Sequence, residues 1–224
     1  SFAATRSISI IGDFVTALMM EIDLVAAKLS SHRVGEIHWG GGTPNILSAE
    51  QFRRIVRQIE FWFDVAPHAA HAVELDPRHV TRELADAYVA AGVTRASLGI
   101  QDLNPHVQEA IGRVQPIEQV RQAVDMLRNA GLKQLSFDLM YGLPGSSEDD
   151  ELRSLRHGIA LAPEHISWYN LTVAPGTPLA SMVAAGSMTM PDDDKVLDIM
   201  RRGWQCLASA GYRHYEVSNF CLRG

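Results

Sequence analysis

The chain has 224 residues, 46% hydrophobic and 21% charged, with a net charge of −6. Such a chain can bury a large core, and its length suits one α/β barrel domain. The acidic balance excludes general nucleic-acid binding, which needs a basic face, and no run of roughly 18 apolar residues is present to span a membrane.

The spacing of Phe14, Leu18, Ile22 and Val25 predicts a first helix capped by Asp13. A strand over 34–39 then ends in Gly40-Gly41-Gly42-Thr43-Pro44. Glycine lets the backbone take positive φ and lie against a ligand, and such a turn after a strand is where α/β proteins bind ligands; a tight strand-to-helix turn is the plainer alternative. Ser48 with Gln51 has capping-box spacing and opens a helix over 48–63. Then come a strand at 72–75, a helix at 81–91, a strand at 95–100 and a short helix near 105–111. A helix at 116–130 precedes a strand at 134–139, and a helix at 148–161 precedes a strand at 165–171. The segment 174–190 reads as a loop, either a lid or a long connection. A helix at 191–210, with Asp192-Asp193-Asp194 favouring its dipole, leads to a strand at 212–217.

Gly92, Gly131 and Gly211 each follow alanine at a predicted helix end and precede a strand, the usual left-handed helix stop. Repeated helix–glycine–strand units imply an α/β fold around a parallel sheet, open or closed into a barrel. No interdomain linker interrupts residues 1–224, so one barrel core is expected.

Polar residues recur where the strands end, the position of chemistry in parallel barrels. They are Glu74 with Asp76, Gln101 with Asp102, Asp138, and Asn170 with Thr172. One alone reads as a satisfied core side chain; on successive strands they point to one shared polar ligand, such as a nucleoside with an amino-acid-like tail. Arg113 reads either as a carboxylate clamp or as a solvated surface arginine. The nine histidines are scattered without zinc-protease spacing, and His68 and His71 fall in a loop-like stretch. Cys206 and Cys221 make no disulfide framework and read as reduced thiols. With no secretory pattern at the start of the sequence, a cytoplasmic protein is expected.

Taken together, Gly40-Gly41-Gly42-Thr43-Pro44, Glu74 with Asp76-Pro77, Gly99-Ile100-Gln101-Asp102, Arg113, and Asp138-Leu139-Met140-Tyr141-Gly142-Leu143-Pro144 resemble radical S-adenosylmethionine (SAM) proteins. More narrowly they resemble the oxygen-independent coproporphyrinogen III oxidase family with its heme-chaperone relatives. The resemblance implies a partial (β/α)6 TIM-like barrel with SAM across the strand ends. By motif position Gly41, Gly42, Thr43, Glu74, Gln101, Arg113, Asp138 and Thr172 map to SAM contacts. It also implies a [4Fe–4S] cluster held by C-x-x-x-C-x-x-C, which this sequence does not contain. Ser1-Phe2 resembles the pair that follows the third cysteine, so the cluster cysteines are expected upstream of Ser1. The implied activity is oxidative decarboxylation of coproporphyrinogen III propionates to vinyl groups, with an electron donor such as flavodoxin. The alternative is a chaperone that binds heme and delivers it to respiratory proteins. Trp39 and Asp102 resemble the oxidase. Ile166-Ser167-Trp168-Tyr169, Leu171-Thr172-Val173, Pro175-Gly176-Thr177-Pro178 and Tyr215-Glu216-Val217-Ser218-Asn219-Phe220 resemble the chaperones.

Overall fold

The computed structural model describes residues 8–222; Ser1 and Phe2, and the upstream segment they suggest, lie outside that range. The chain divides into two compact units, one of residues 8–97 with 125–133 and the other of 98–124 with 134–222.

The first unit begins with α1 (Ile8–Ala26) and β1 (Arg33–Trp39). After the glycine turn come a short 3-10 turn (Pro44–Ile46), α2 (Ala49–Trp62), β2 (Asp64–Leu75) and α3 (Arg82–Ala90). The capping box forms as expected: the Gln51 N–H donates to Ser48 Oγ at 3.2 Å, and the Ser48 N–H to Gln51 Oε1 at 2.9 Å. Asp13 does not cap α1 but lies inside it. The helix extends upstream because Ile11 already packs on the core formed by Val15, Leu47 and Ile55. The buried stripe is therefore Ile11, Val15, Leu18 and Ile22, while Phe14 and Val25 face solvent. Phe52 anchors the other side of α2, its ring 4.6 Å from Trp39 and 4.8 Å from Tyr88. His68 and His71 lie within β2, not in a loop. β2 pairs parallel with β1 through an irregular register between Val34 and Glu36, and its Ala-Pro-His-Ala-Ala-His stretch lacks the alternation that marks a strand.

β3 (Arg95–Gln101) and α5 (Ile117–Ala130) each run through the division between units. The second unit also holds α4 (Pro105–Ala110), β4 (Gln134–Tyr141), α6 (Glu148–Ala160), β5 (His165–Asn170), α7 (Pro178–Ala184), α8 (Asp193–Ser209), β6 (Tyr212–Glu216) and β7 (Asn219–Leu222). Its strand order is β3-β4-β5-β7-β6. β4 and β5 are parallel, with Asp138 opposite Ser167 and Met140 opposite Tyr169. The glycine stops hold, with Gly92 at φ +79°, Gly131 at +110° and Gly211 at +89°.

The last stretch departs from the all-parallel expectation. β7 pairs antiparallel with both β5 and β6, because the Val217-Ser218 turn is far too short for a crossover helix. The segment 174–190 is not wholly loop, since α7 occupies part of it with Thr177 as its cap. The core of this unit is built on Trp168, Leu139, Phe137, Leu155 and Leu207, all buried. α8 packs flat on Trp168 at Gly203, where any side chain would occupy the space of the indole ring. Among the described residues no helix is long and apolar enough to cross a membrane.

Candidate functional site

In the first unit the glycine turn hangs from a fixed strand end. Trp39 packs on Phe52 and donates its indole N–H to His71 Nε2 at 2.6 Å. His71 Nδ1 lies 3.1 Å from the Ala91 carbonyl, so the ring is neutral, donating there and accepting from Trp39. Burial holds its pKa below the usual histidine value, against the upward pull of the Ala91 bond. Beyond Trp39, Gly41 takes φ +101°, and both Gly41 and Gly42 have open space where a side chain would stand. A Cβ on Gly40 would come within 2.9 Å of His38 Nε2 and 3.0 Å of Glu74 Oε1. His38 and Glu74 themselves pair at 3.0 Å, both about half exposed. Thr43 opens the 3-10 turn without a side-chain capping bond. The buried Asn45 side chain then clasps the Asp76 peptide, donating to its carbonyl at 2.8 Å and accepting from its N–H at 3.0 Å. Asp76 itself is bound by Arg78, with Nη2–Oδ2 at 2.6 Å. The first unit thus brings Gly41, Gly42, Thr43 and Glu74 to neighbouring strand ends and gives Asp76 a structural role.

In the second unit one face of the strands carries the polar residues. On β3 Leu98 and Ile100 are buried while Gly99 and Gln101 alternate with them, and on β4 Asp138 and Met140 alternate with Phe137 and Leu139. This is the period-two alternation of a strand. Gln101 has φ +67° and stands at the centre of a tight turn closed by the Asp102 N–H on the Ile100 carbonyl at 2.9 Å. That three-residue turn is rare and strained. Tyr169 donates its phenol O–H to Gln101 Oε1 at 3.0 Å, and Arg113 Nη2 donates to the Gly99 carbonyl at 2.7 Å. Burial pushes the Tyr169 phenol up and the Asp138 carboxylate pushes it further, while Arg113 and the Gln101 bond pull the other way. Gln101, Arg113, Met140, Leu143, Leu179 and Met182 line a cavity of about 370 Å³, within the range of small-molecule sites. Thr172 is exposed just beyond β5 and is not part of that lining. Gly142 has φ +72°, a conformation that side chains rarely adopt, and a Cβ there would meet the Asn170 side-chain amide.

Beneath this face lies a polar layer in which sequence reasoning singles out Asp102 alone, as a strand-end polar residue. Asp102 is fully buried and accepts from Ser154 Oγ at 2.6 Å and from the Asn104 N–H at 2.6 Å. Burial raises its pKa, opposed by the Ser154 and Asn104 bonds. Gln108 bridges the Asp102 and Gln115 carbonyls at 2.9 and 2.8 Å. Glu151, also fully buried, accepts through Oε1 from the Gly142 and Leu143 N–H groups at 2.8 and 3.0 Å and from Ser146 Oγ. Burial raises Glu151 too, with those three bonds pulling down and Asp102 adding to the rise. The signal available for Glu151 was the acidic first turn after Ser147, which reads equally as dipole compensation.

A profile of the radical SAM superfamily matches residues 7–157. The chain belongs to the radical SAM superfamily. It is 35% identical over 216 residues to the heme chaperone HemW of Haemophilus influenzae, a match covering 95% of this chain and 55% of that protein. It is 31% identical to the oxygen-independent coproporphyrinogen III oxidase of Paracoccus denitrificans, covering 98% of this chain and 49% of that protein. The solved structure of coproporphyrinogen III oxidase HemN from Escherichia coli, a radical SAM enzyme, superposes with TM-score 0.89 at 27% identity over 98% of this chain and 50% of that one. The chain spans about half the length of the curated relatives it matches. The expected α/β radical SAM fold is therefore present.

The two implied groups differ in fit. In the first unit Gly41 and Gly42 leave backbone open to a ligand, and in the second the cavity faced by Gln101 and Arg113 suits hydroxyl and carboxylate groups. The cluster does not fit: Cys206 and Cys221 are its sole cysteines, both free, and no metal-holding group of three occurs among the described residues.

Proposed function

We propose that this chain is the SAM-binding core of an oxygen-independent coproporphyrinogen III oxidase, acting on the propionates of coproporphyrinogen III. The observation that supports the reading best is the second-unit cavity, where Gln101 and Arg113 stand on an otherwise apolar wall. Gln101 offers a carboxamide to ribose hydroxyls. Arg113 offers a guanidinium to a carboxylate, an interaction that its fork geometry favours. Asp138, a carboxylate on the same face, accepts from hydroxyl or ammonium donors, and Thr172 is proposed to flank the base. In the first unit the exposed backbone at Gly41 and Gly42, with Thr43 and Glu74, is proposed to take the methionine ammonium. SAM would supply hydrogen-abstraction chemistry once given one electron, and no described residue of this chain holds the cluster that would deliver that electron. The chain's share is to bind, orient and exclude water, and Leu143, Leu179 and Met182 provide the dry wall.

A second reading is heme binding and delivery, supported by the HemW relative and by the chaperone-like residues 166–178 and 215–220. The native protein, incubated anaerobically with SAM, a reductant, an electron donor such as flavodoxin and coproporphyrinogen III, separates the two readings. Appearance of the doubly decarboxylated porphyrin by mass spectrometry supports the oxidase. SAM cleavage without that product, together with stoichiometric heme uptake, supports the chaperone.

A further inference from the structure

We infer that Tyr169 is a positioning residue that orients the Gln101 carboxamide, so that Gln101 meets its ligand as a hydrogen-bond donor. The inference deepens the SAM-binding reading and rests on it. Three observations carry it. First, Gln101 sits in a strained γ-turn at φ +67°, a conformation that persists only where the surroundings fix it. The surroundings are the buried Asp102 on one side, held by Ser154 and Asn104, and Arg113 on the Gly99 carbonyl on the other. The backbone strain places the side chain at the cavity wall.

Second, a carboxamide has two unlike ends, an acceptor oxygen and a donor NH₂. Which end faces the ligand is decided by what the other end touches. Here Tyr169 supplies its single O–H to Gln101 Oε1 at 3.0 Å. With the oxygen engaged, the NH₂ group is the end left for the ligand.

Third, Tyr169 is kept a donor. Burial and the Asp138 charge raise its pKa, outweighing Arg113 and the Gln101 bond, so the phenol keeps the proton that it donates. Tyr169 on β5 pairs with Met140 of β4, so its phenol crosses β4 to reach Gln101 on β3 and acts on the ligand through Gln101. The residue thereby adds a requirement on the ligand: an acceptor, such as a ribose hydroxyl oxygen, opposite Gln101.

The test combines two readouts on wild type, Tyr169→Phe, Gln101→Ala and the double variant, with thermal denaturation confirming that each folds. In ligand-free protein, the side-chain amide resonances of Gln101 should shift and exchange faster in Tyr169→Phe. In equilibrium dialysis with SAM, Tyr169→Phe should bind about fivefold more weakly, the effect of one lost hydrogen bond. In the Gln101→Ala background, removal of the phenol oxygen should have no further effect. Unchanged Gln101 amide resonances in Tyr169→Phe overturn the inference, as does an equal loss of affinity with and without Gln101. Wild-type protein that takes up no SAM overturns the ligand reading, while a shifted amide in that case still upholds the orientation of Gln101 by Tyr169.

Discussion

At the end of β1 the candidate contacts are left open. Gly41 and Gly42 are exposed, and Glu74 is half exposed beside His38. At the ends of β3 and β4 they stand on a buried layer, where Asp102 and Glu151 are both fully enclosed. The first region offers backbone, which needs little support beyond the Trp39 and Asn45 anchors. The second offers side chains, and their aim depends on polar groups that never reach the cavity. Changes in the first region should therefore lower ligand affinity with little loss of stability. Changes beneath the second should lower both.

The largest effect is expected at Gly203, in the second unit. Gly203→Ala drives a methyl into the Trp168 ring, and overpacking of this kind should cost about 3 kcal/mol in urea denaturation. Glu151→Ala comes next. It leaves the buried Gly142 and Leu143 N–H groups without their acceptor, at about 2–3 kcal/mol, and SAM affinity should fall with stability because Leu143 lines the cavity. Asn45→Ala releases the Asp76 peptide and should cost about 2 kcal/mol. At the small end, Gly42→Ala adds a methyl in open space. It should change stability by less than about 0.5 kcal/mol while weakening SAM binding measurably in dialysis. A Gly42→Ala protein as unstable as Glu151→Ala would break the contrast between the regions.

The regions should also answer pH in opposite senses. Burial raises the folded-state pKa of Glu151, so its contribution is complete below the ordinary carboxylate range and is lost as pH rises through the raised value. Glu151→Gln should flatten that decline. Burial lowers the folded-state pKa of His71, so its contribution is complete above the ordinary histidine range and is lost as pH falls through the lowered value. Acid should thus weaken the Trp39–His71 bond of the first unit. His71→Gln should remove the acid dependence, as read by Trp39 fluorescence.

Most of the fold was legible because helix stops, caps and alternation are local signals. Ser48 with Gln51, and Gly92, Gly131 and Gly211, each carry their meaning within a few residues. The first helix is legible in part: Leu18 and Ile22 pack on the core as expected, while Phe14 and Val25 are apolar yet exposed. β7 was missed because a four-residue antiparallel strand after a tight turn has no periodicity to detect. Gln101 is legible as a polar residue at a strand end, and Arg113 as an arginine that follows a short helix. Tyr169, Asn45 and Glu151 were not, since their partners lie 68, 31 and 8–9 residues away in sequence. Asp102 stood out as a motif residue, and the fold shows it to be buried support rather than cavity wall.

The most direct measurement is equilibrium dialysis of SAM against the native protein and its Gly42→Val and Arg113→Met variants. The account expects about one SAM per wild-type chain and at least about tenfold weaker uptake by each variant, the loss of roughly 1.4 kcal/mol or more. No uptake by wild type, or variants that bind as wild type does, would contradict it.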